Sequence, residues 1–210
     1  MKFRLFFVWV LVVFSLSACG LLNSGGAGQP LFQDDFSNPD SGWDRMTGID
    51  GETDYVDGAY RIFVDEPNKD FYANPGLSLS AVSVEVDATV AGGPEENDFG
   101  VMCRYEDNNN FYYFIISSDQ LYGIGKIVNG ARVQLAPVDE PPASQAILPG
   151  QTNRIRADCV GDTLTLYVNG QKLVEVRDRD LTMGDIGLIA GSYSQPGTDV
   201  RFDNLVVTSP

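Results

Sequence analysis

The segment Val82-Ser83-Val84-Glu85-Val86-Asp87-Ala88-Thr89-Val90 alternates apolar and polar side chains at every position. Successive side chains of a β-strand point to opposite faces, so the pattern predicts a strand with one buried face and one solvated face. Gly92-Gly93-Pro94 follows and ends this strand. Antiparallel sheets commonly expose one face to solvent, so the segment favours an antiparallel fold.

Further β-rich runs lie on both sides of this strand at nearly regular spacing, and turn residues separate them. Asp57-Gly58, Asn129-Gly130 and Asn169-Gly170 are typical of two-residue hairpin turns. No stretch after Leu31 shows helical periodicity. We therefore predict an all-β fold, an antiparallel sandwich or barrel of about twelve strands. The runs are 53–56, 59–64, 82–90, 99–105, 111–116, 122–127, 131–135, 153–160, 163–168, 171–176, 184–192 and 200–208.

The N-terminus predicts export from the cytoplasm. Two basic residues precede an unbroken apolar run at 5–14, which is too short for a membrane-spanning helix of about 20 residues. Leu16-Ser17-Ala18-Cys19 resembles the lipobox of bacterial lipoproteins, which implies cleavage after Ala18 and lipidation of the Cys19 sulfur. The alternative is an ordinary signal peptide, cut at the same bond, that leaves an unmodified cysteine.

This reading divides the chain into three parts. Residues 1–18 are the signal peptide, 19–30 are the lipidated cysteine with a glycine-rich flexible tether, and 31–210 form one β-sandwich domain. The expected location is extracytoplasmic, with the protein anchored in a membrane through Cys19, since several acyl chains together anchor a protein stably.

Composition excludes several classes of function. The formal net charge is −15, which disfavours binding to nucleic acid. The chain has no histidine, so Ser-His-Asp and Cys-His catalysis and histidine-ligated zinc or haem sites are excluded. An enzyme built from this sequence would depend on carboxylates, lysine, tyrosine or a bound cation.

Cys103 and Cys159 lie on predicted strands, each in register with apolar neighbours, so both side chains should point into the core. In an exported protein such a pair is read first as a disulfide. Two buried free thiols are the alternative, because sequence alone does not establish that two cysteines pair.

Several motifs in fixed order carry a family resemblance. They resemble the concanavalin A-like lectin and glucanase superfamily of jelly rolls, and within it the bacterial exported domains grouped near the 3-keto-disaccharide hydrolases and the laminin-G-like domains. The resemblance covers about residues 31–208, and it implies two curved antiparallel sheets stacked face to face. Members commonly bind or cleave sugars. The motifs are Asp35-Phe36-Ser37-Asn38-Pro39-Asp40-Ser41-Gly42-Trp43, Asp57-Gly58-Ala59-Tyr60, Asn97-Asp98-Phe99-Gly100-Val101-Met102-Cys103-Arg104-Tyr105, Asn110-Phe111-Tyr112-Tyr113-Phe114, Leu166-Tyr167-Val168-Asn169-Gly170 and Phe202-Asp203-Asn204-Leu205.

Glu85 and Asp87 are the catalytic candidates. In the superfamily's retaining glucanases a strand carries three acids at alternate positions, and two of them act as nucleophile and general acid. Thr89 stands at the third position here, which breaks the motif. The alternative is that both acids belong to the solvated face of an ordinary strand.

Arg104, Tyr112 and Tyr113 are the ligand-binding candidates, together with Glu85 and Asp87. If Cys103 is buried, strand alternation predicts that Arg104 faces outward. Arginine donors and tyrosine rings suit sugars, which present hydroxyls on their edges and C–H groups on their faces. A cross-strand arginine–aromatic pair that stabilises the sheet is the alternative.

Asp34, Asp35 and Asp203 are candidate ligands of a structural calcium ion, since they lie near the first and last strands, which adjoin in many jelly rolls. Hard oxygen ligands suit Ca²⁺, but no ligand loop of fixed spacing is present. No other cofactor is predicted.

Three functions remain compatible with the sequence. The first is a non-catalytic module that binds a glycan or a cell-surface partner. The second is an enzyme that cleaves a glycoside or disaccharide, as some members of the resembling group do. The third is a structural protein-interaction domain. The broken acidic motif and the predicted membrane anchor favour the first.

Overall fold

A computed structural model describes Gly28 and residues 30–140 and 142–210. Within these residues the chain forms fifteen β-strands and no helix. Cys19, the predicted signal peptide and nearly all of the tether lie outside the described residues. No helix in the described part of the chain is long and apolar enough to cross a membrane. The strands are β1 Pro30–Asp34, β2 Met46–Gly48, β3 Gly51–Val56, β4 Ala59–Val64, β5 Lys69–Ala73, β6 Val82–Gly92, β7 Asn97–Asp107, β8 Asn110–Ile116, β9 Tyr122–Val128, β10 Ala131–Ala136, β11 Asn153–Val160, β12 Thr163–Val168, β13 Gln171–Arg177, β14 Asp185–Ser192 and β15 Thr198–Thr208.

The strands form two antiparallel sheets. The nine-stranded sheet has the order β13-β12-β11-β6-β15-β4-β3-β2, with β1 paired to one end of β15. The six-stranded sheet has the order β10-β9-β8-β7-β14-β5. This arrangement confirms the predicted all-β sandwich and its jelly-roll class.

The inner faces of the two sheets enclose the main core. On β6 the side chains of Val82, Val84, Val86 and Ala88 are buried, and the residues between them are partly exposed. The alternation predicted from this segment is therefore confirmed, and it places Glu85 and Asp87 on the outer face of the nine-stranded sheet.

A disulfide joins Cys103 to Cys159, as predicted. Cys103 belongs to β7 of the six-stranded sheet, and Cys159 belongs to β11 of the nine-stranded sheet. The bond therefore ties the two layers together across the core, where both residues are fully buried.

The six-stranded sheet buries side chains on its outer face as well. Met102, Phe111, Tyr113 and Ile189 form a second apolar cluster there, separate from the main core. Because both faces are covered, β7, β8 and β14 are buried along most of their length, which agrees with the prediction that the 111–116 run is a central strand.

The strand count is higher than the predicted twelve. β2 is only three residues long and all three are exposed, so it carries no buried–exposed alternation. β5 is the edge strand of the six-stranded sheet and is also short. Such strands form because a longer neighbour offers hydrogen-bonding partners, and their own side-chain pattern does not reveal them.

Candidate functional site

A cleft of about 590 Å³ lies on the outer face of the six-stranded sheet. Strands β7 to β10 form its floor, and Tyr193, just after β14, forms one wall. Its polar lining includes Asp98, Arg132 and Gln134, and Ile115 contributes an apolar surface. The volume falls in the range of small-molecule binding sites, which combine apolar walls with a few convergent polar groups.

Glycines on the outer sheet face let large side chains lie close to the backbone. A Cβ atom at Gly125 would lie 2.1 Å from the Tyr113 hydroxyl oxygen, and one at Gly123 would lie 2.5 Å from the Gln134 amide nitrogen. Tyr113 and Gln134 therefore occupy space that any other residue at these two positions would fill. The floor of the cleft depends on this close approach.

Arg132 on β10 links the polar groups of the cleft. Its Nη1 lies 2.6 Å from Asp70 Oδ2, and its Nη2 lies 3.6 Å from Asp98 Oδ2. Its Nε donates a hydrogen bond of 3.1 Å to the hydroxyl of Tyr113, and the guanidinium carbon lies 4.7 Å from the centre of the Tyr113 ring. Burial lowers the pKa of Arg132, but Asp70, Tyr113 and Asp98 outweigh it and raise that pKa overall.

Strand register brings the two aspartates together. Gly191 on β14 pairs with Asp70 on β5 on one side and with Asp98 on β7 on the other. All three residues therefore share one row across the sheet, and both carboxylates project from the outer face on either side of a residue with no side chain. Arg132 reaches both carboxylates from β10.

Asp98 is the most unusual group in the cleft. It is 2% exposed, and its Oδ2 accepts a hydrogen bond of 3.0 Å from the hydroxyl of Tyr193. Its Oδ1 has no hydrogen-bond partner among the described residues. Burial, and secondarily the charge of Asp70, raise the pKa of Asp98 to about 7. A buried polar atom without a partner is costly, and in a cleft it marks a place for a donor from a ligand.

Aromatic residues extend the apolar wall beside Arg132. Tyr72, Tyr105, Phe111 and Tyr113 form a chain of ring contacts with centroids 5.5 to 6.5 Å apart. At the opposite wall, Tyr193 is 45% exposed although its hydroxyl is bound to Asp98. Tyr193 therefore places an exposed aromatic residue beside a carboxylate.

The model of the family described as the 3-keto-alpha-glucoside-1,2-lyase-like domain matches residues 29–208. The chain belongs to this family. A sequence comparison with curated proteins finds no match.

Solved structures share the fold of this lyase-like domain at low sequence identity. The carbohydrate binding module CBM66 from Bacillus subtilis is 19% identical with a TM-score of 0.60, over 80% of this chain and 96% of that one. A protein of unknown function with a galectin-like fold, also from Bacillus subtilis, is 12% identical with a TM-score of 0.64, over 88% and 97%. The Bacillus licheniformis beta-glucanase is 13% identical with a TM-score of 0.60, over 89% and 100%. These likenesses establish a fold similar to those of carbohydrate-binding and glycosidase domains.

The sequence-predicted residues do not form one site in the lyase-like domain. Glu85 and Asp87 lie on the nine-stranded sheet, on the far side of the core from the cleft. Each carboxylate lies 3.2 Å from the guanidinium of Arg154, and Asp87 also accepts a hydrogen bond from the side-chain amide of Asn204. This arrangement agrees with the alternative interpretation, in which both acids belong to the solvated face of an ordinary strand.

The prediction that Arg104 faces outward is wrong. Arg104 is 2% exposed and donates to the backbone carbonyls of Ser80, Gly161 and Leu181 at 3.3, 2.7 and 2.9 Å. The cause is a β-bulge after Cys103, where the pairing register shifts and Arg104 takes a φ of +51°. The bulge interrupts the alternation on which the prediction depended.

The two tyrosines of β8 point to opposite faces of their sheet. Tyr112 belongs to the main core, where its hydroxyl donates to Asp178 at 2.5 Å and accepts from the Leu181 amide at 3.1 Å. Tyr113 belongs to the outer-face cluster and contacts Arg132. Of the predicted ligand-binding set, only Tyr113 lies beside the cleft.

The acidic residues near the chain ends accept local hydrogen bonds. Asp34 accepts hydrogen bonds from the side chains of Ser41 and Trp43. Asp35 accepts one from the Ser37 hydroxyl, and Asp203 accepts one from the backbone amide of Asn204. In the described part of the chain, no three cysteine or acidic side chains gather where they could hold a metal ion. The calcium prediction for Asp35 and Asp203 therefore gains no support.

Sequence reasoning missed Asp70, Asp98, Arg132 and Tyr193. One signal was available, because the 122–127 run carries glycines at two alternate positions, Gly123 and Gly125. Alternate glycines on one strand face indicate that large side chains from neighbouring strands lie across it. The pairing of Asp70 with Asp98 was not accessible, because β5 itself was not predicted.

Proposed function

We propose that this protein is a membrane-tethered, extracytoplasmic lipoprotein whose sandwich binds a carbohydrate, without catalysis, in the cleft on the six-stranded sheet. The observation that carries the proposal is the convergence of Asp98, Arg132 and Tyr193 on one cleft of about 590 Å³. The fold shared with a carbohydrate binding module supports it.

The chemistry of the cleft suits a sugar. The free Oδ1 of Asp98 can accept from a hydroxyl, and the nearby Gln134 amide can exchange hydrogen bonds with another. The exposed Tyr193 offers an aromatic ring to the C–H face of a sugar ring. These groups stand on or directly beside paired strands, so they are held in place before a ligand arrives.

The tether is proposed from the lipobox. Lipidated Cys19 would hold the domain close to its membrane through a tether of about eleven residues, which spans roughly 18 Å as a coil. Cys19→Ser should release the protein from the membrane fraction into the soluble fraction. Persistent membrane association of this variant, with unchanged processing, would contradict the lipid anchor.

A glycan array tests the carbohydrate-binding proposal. The full chain in detergent micelles should bind a defined set of glycans, and Tyr193→Ala should weaken that binding about tenfold or more. Tyr167→Ala is the matched control. Tyr167 is a partly exposed tyrosine on the nine-stranded sheet, away from the cleft, and its ring contacts Arg156 of the same sheet. Absence of any glycan binding would overturn the proposal. It would favour the third function, a structural protein-interaction domain.

A glycoside- or disaccharide-cleaving enzyme is the second candidate, and Asp98 is the observation that favours it. A buried carboxyl with a pKa of about 7 is suited to general acid–base work near neutral pH. Incubating the bound glycans and their 3-keto derivatives with the protein, and following product release, separates the two functions. Turnover that is lost in Asp98→Asn would support the enzyme, and loss in Glu85→Gln instead would place the chemistry on the nine-stranded sheet.

A further inference from the structure

The charges around the cleft do not balance. Among the described residues, Glu96, Asp98 and Asp119 line it together with one cationic residue, Arg132. Arg132 is also bound to Asp70 just outside, so its charge is shared between two carboxylates. The region remains net negative after Arg132 has been counted.

The two aspartates on either side of Gly191 bring one carboxylate oxygen each together above its backbone. A Cβ atom added at Gly191 would lie 2.3 Å from Asp70 Oδ1 and 2.6 Å from Asp98 Oδ1, so both oxygens converge on one point. Arg132 contacts the other oxygen, Oδ2, of each carboxylate. The two converging Oδ1 atoms are therefore the carboxylate oxygens that the guanidinium does not engage.

A buried carboxylate with an unpartnered oxygen can be neutralised in two ways. It can take up a proton, which is what the raised pKa of Asp98 indicates for the free protein. Alternatively, a ligand can bring a positive charge to the same place. A hydroxyl donor satisfies the lone pair but leaves the negative charge buried under the ligand, which is less favourable.

We propose that the cleft selects a saccharide that carries a protonated amino group, and that the converging Oδ1 atoms of Asp98 and Asp70 receive this ammonium. The inference rests on the proposed function, because it takes carbohydrate binding in this cleft as given. Neutral sugars bind more weakly in this scheme. Sugars with carboxylate or sulfate groups are repelled by the same acids.

Calorimetric titration of the full chain in detergent micelles at pH 7 tests the selection. Three tetrasaccharides share one β-1,4 glucose backbone and differ at carbon 2, where they carry an ammonium, a hydroxyl or an acetamido group. The glucosamine tetramer should bind about tenfold or more tightly than cellotetraose and the N-acetylated tetramer, since charge-assisted hydrogen bonds are about twice as strong as neutral ones.

Two variants assign the preference to the converging Oδ1 atoms of Asp70 and Asp98. Asp98→Asn keeps the shape of the side chain and should abolish the preference for the amino sugar, whereas Asp40→Asn makes the same charge change on an exposed loop and should keep it. Gly191→Ala adds a Cβ that would lie within 2.6 Å of both Oδ1 atoms, so it forces them apart without altering any charge and should also abolish the preference. Gly92→Ala is its control, because a Cβ there meets nothing within 4 Å.

The outcomes separate this inference from the proposed function. Equal affinity for the three tetrasaccharides, a preference that survives in both Asp98→Asn and Gly191→Ala, or array binding confined to neutral or acidic glycans would overturn the inference and leave carbohydrate binding intact. Failure of every saccharide to bind would instead overturn the proposed function on which it rests.

Discussion

Arg132 and Asp98 show how single side chains set the properties of the cleft. Arg132 contacts Asp70, Asp98 and Tyr113 at once, so its removal would disturb every polar group on that side of the cleft. Asp98 is buried beside this cation, yet the net effect of its surroundings is to favour its neutral form. The desolvation of a carboxyl therefore outweighs the attraction of an arginine 3.6 Å away.

The raised pKa of Asp98 predicts a specific dependence of stability on pH. An unfolded carboxyl titrates near pH 4, whereas burial raises the pKa of Asp98 in the folded protein to about 7. The folded state therefore binds a proton that the unfolded state lacks between these values, so the stability linked to Asp98 is fully present below about pH 4 and is lost as pH rises through 7. Asp98→Asn removes this loss, and the variant should exceed the wild type by roughly 1–3 kcal/mol at pH 8 and match it at pH 4.5.

Urea unfolding of both proteins at the two pH values measures the effect. Taking the difference between variant and wild type cancels the other titrating groups, including Asp185, whose pKa is also raised by burial. A difference of the same size at pH 4.5 and pH 8 would show that Asp98 does not titrate near neutrality.

Arg104 gives a second prediction at the residue scale. Its three carbonyl partners belong to separate segments, so Arg104→Met should destabilise the fold by about 3 kcal/mol or more while glycan affinity in the folded protein stays unchanged. Chemical denaturation and glycan titration of the same sample check both parts. A variant of normal stability that has lost binding would restore Arg104 as a ligand contact.

At the level of elements, regular strands could be predicted from the sequence, whereas bulges and short edge strands could not. Alternation along β6 was readable from the sequence because burial alternates without interruption from Val82 to Ala88, and the bulge in this stretch of its pairing with β15 adds its extra residue to β15. The same rule failed on β7, where the bulge at Arg104 reverses one side chain, and neighbouring residues give no local signal for it. Bulges and short edge strands such as β5 depend on the partner strand, which sequence reasoning has to guess.

Gly125 tests whether the close packing of Tyr113 matters for binding. In Gly125→Ala the new Cβ would lie 2.2 Å from Tyr113 Cζ, so the ring must move and carry the stacked Arg132 with it. We expect glycan affinity to fall about tenfold or more and stability to fall by about 1–3 kcal/mol. Gly92→Ala should change neither quantity, and unaltered affinity in Gly125→Ala would mean that Tyr113 does not support the site.

For the whole molecule, the fold class, the disulfide and the family followed from the sequence, whereas the location of the cleft did not. Hairpin turns and regular strand spacing are local signals, and they predicted a sandwich correctly. The site depends on three strands distant in sequence, since Asp70, Asp98 and Arg132 meet only after β5, β7 and β10 have joined one sheet. The sequence-based candidates are scattered, with Glu85 and Asp87 on the other sheet from Tyr113, because no local pattern shows which strands join the same sheet.

The disulfide supplies a prediction on this scale, because it joins the two sheets at a sequence separation of 56 residues. Replacing both Cys103 and Cys159 with alanine should lower the free energy of unfolding by about 4 kcal/mol, as the closure entropy of a loop of this length implies. Urea unfolding of the oxidised, reduced and doubly substituted proteins provides the measurement. Identical midpoints for the three samples would contradict this role.

Hydrogen–deuterium exchange of the full chain in micelles tests the central claim most directly. It is measured with and without the glycan that binds most tightly on the array. Carbohydrate binding in the cleft predicts slower exchange of backbone amides in the segments that contain Asp98, Arg132 and Tyr193, with no change around Glu85 and Asp87. Protection confined to the outer face of the nine-stranded sheet would contradict the account.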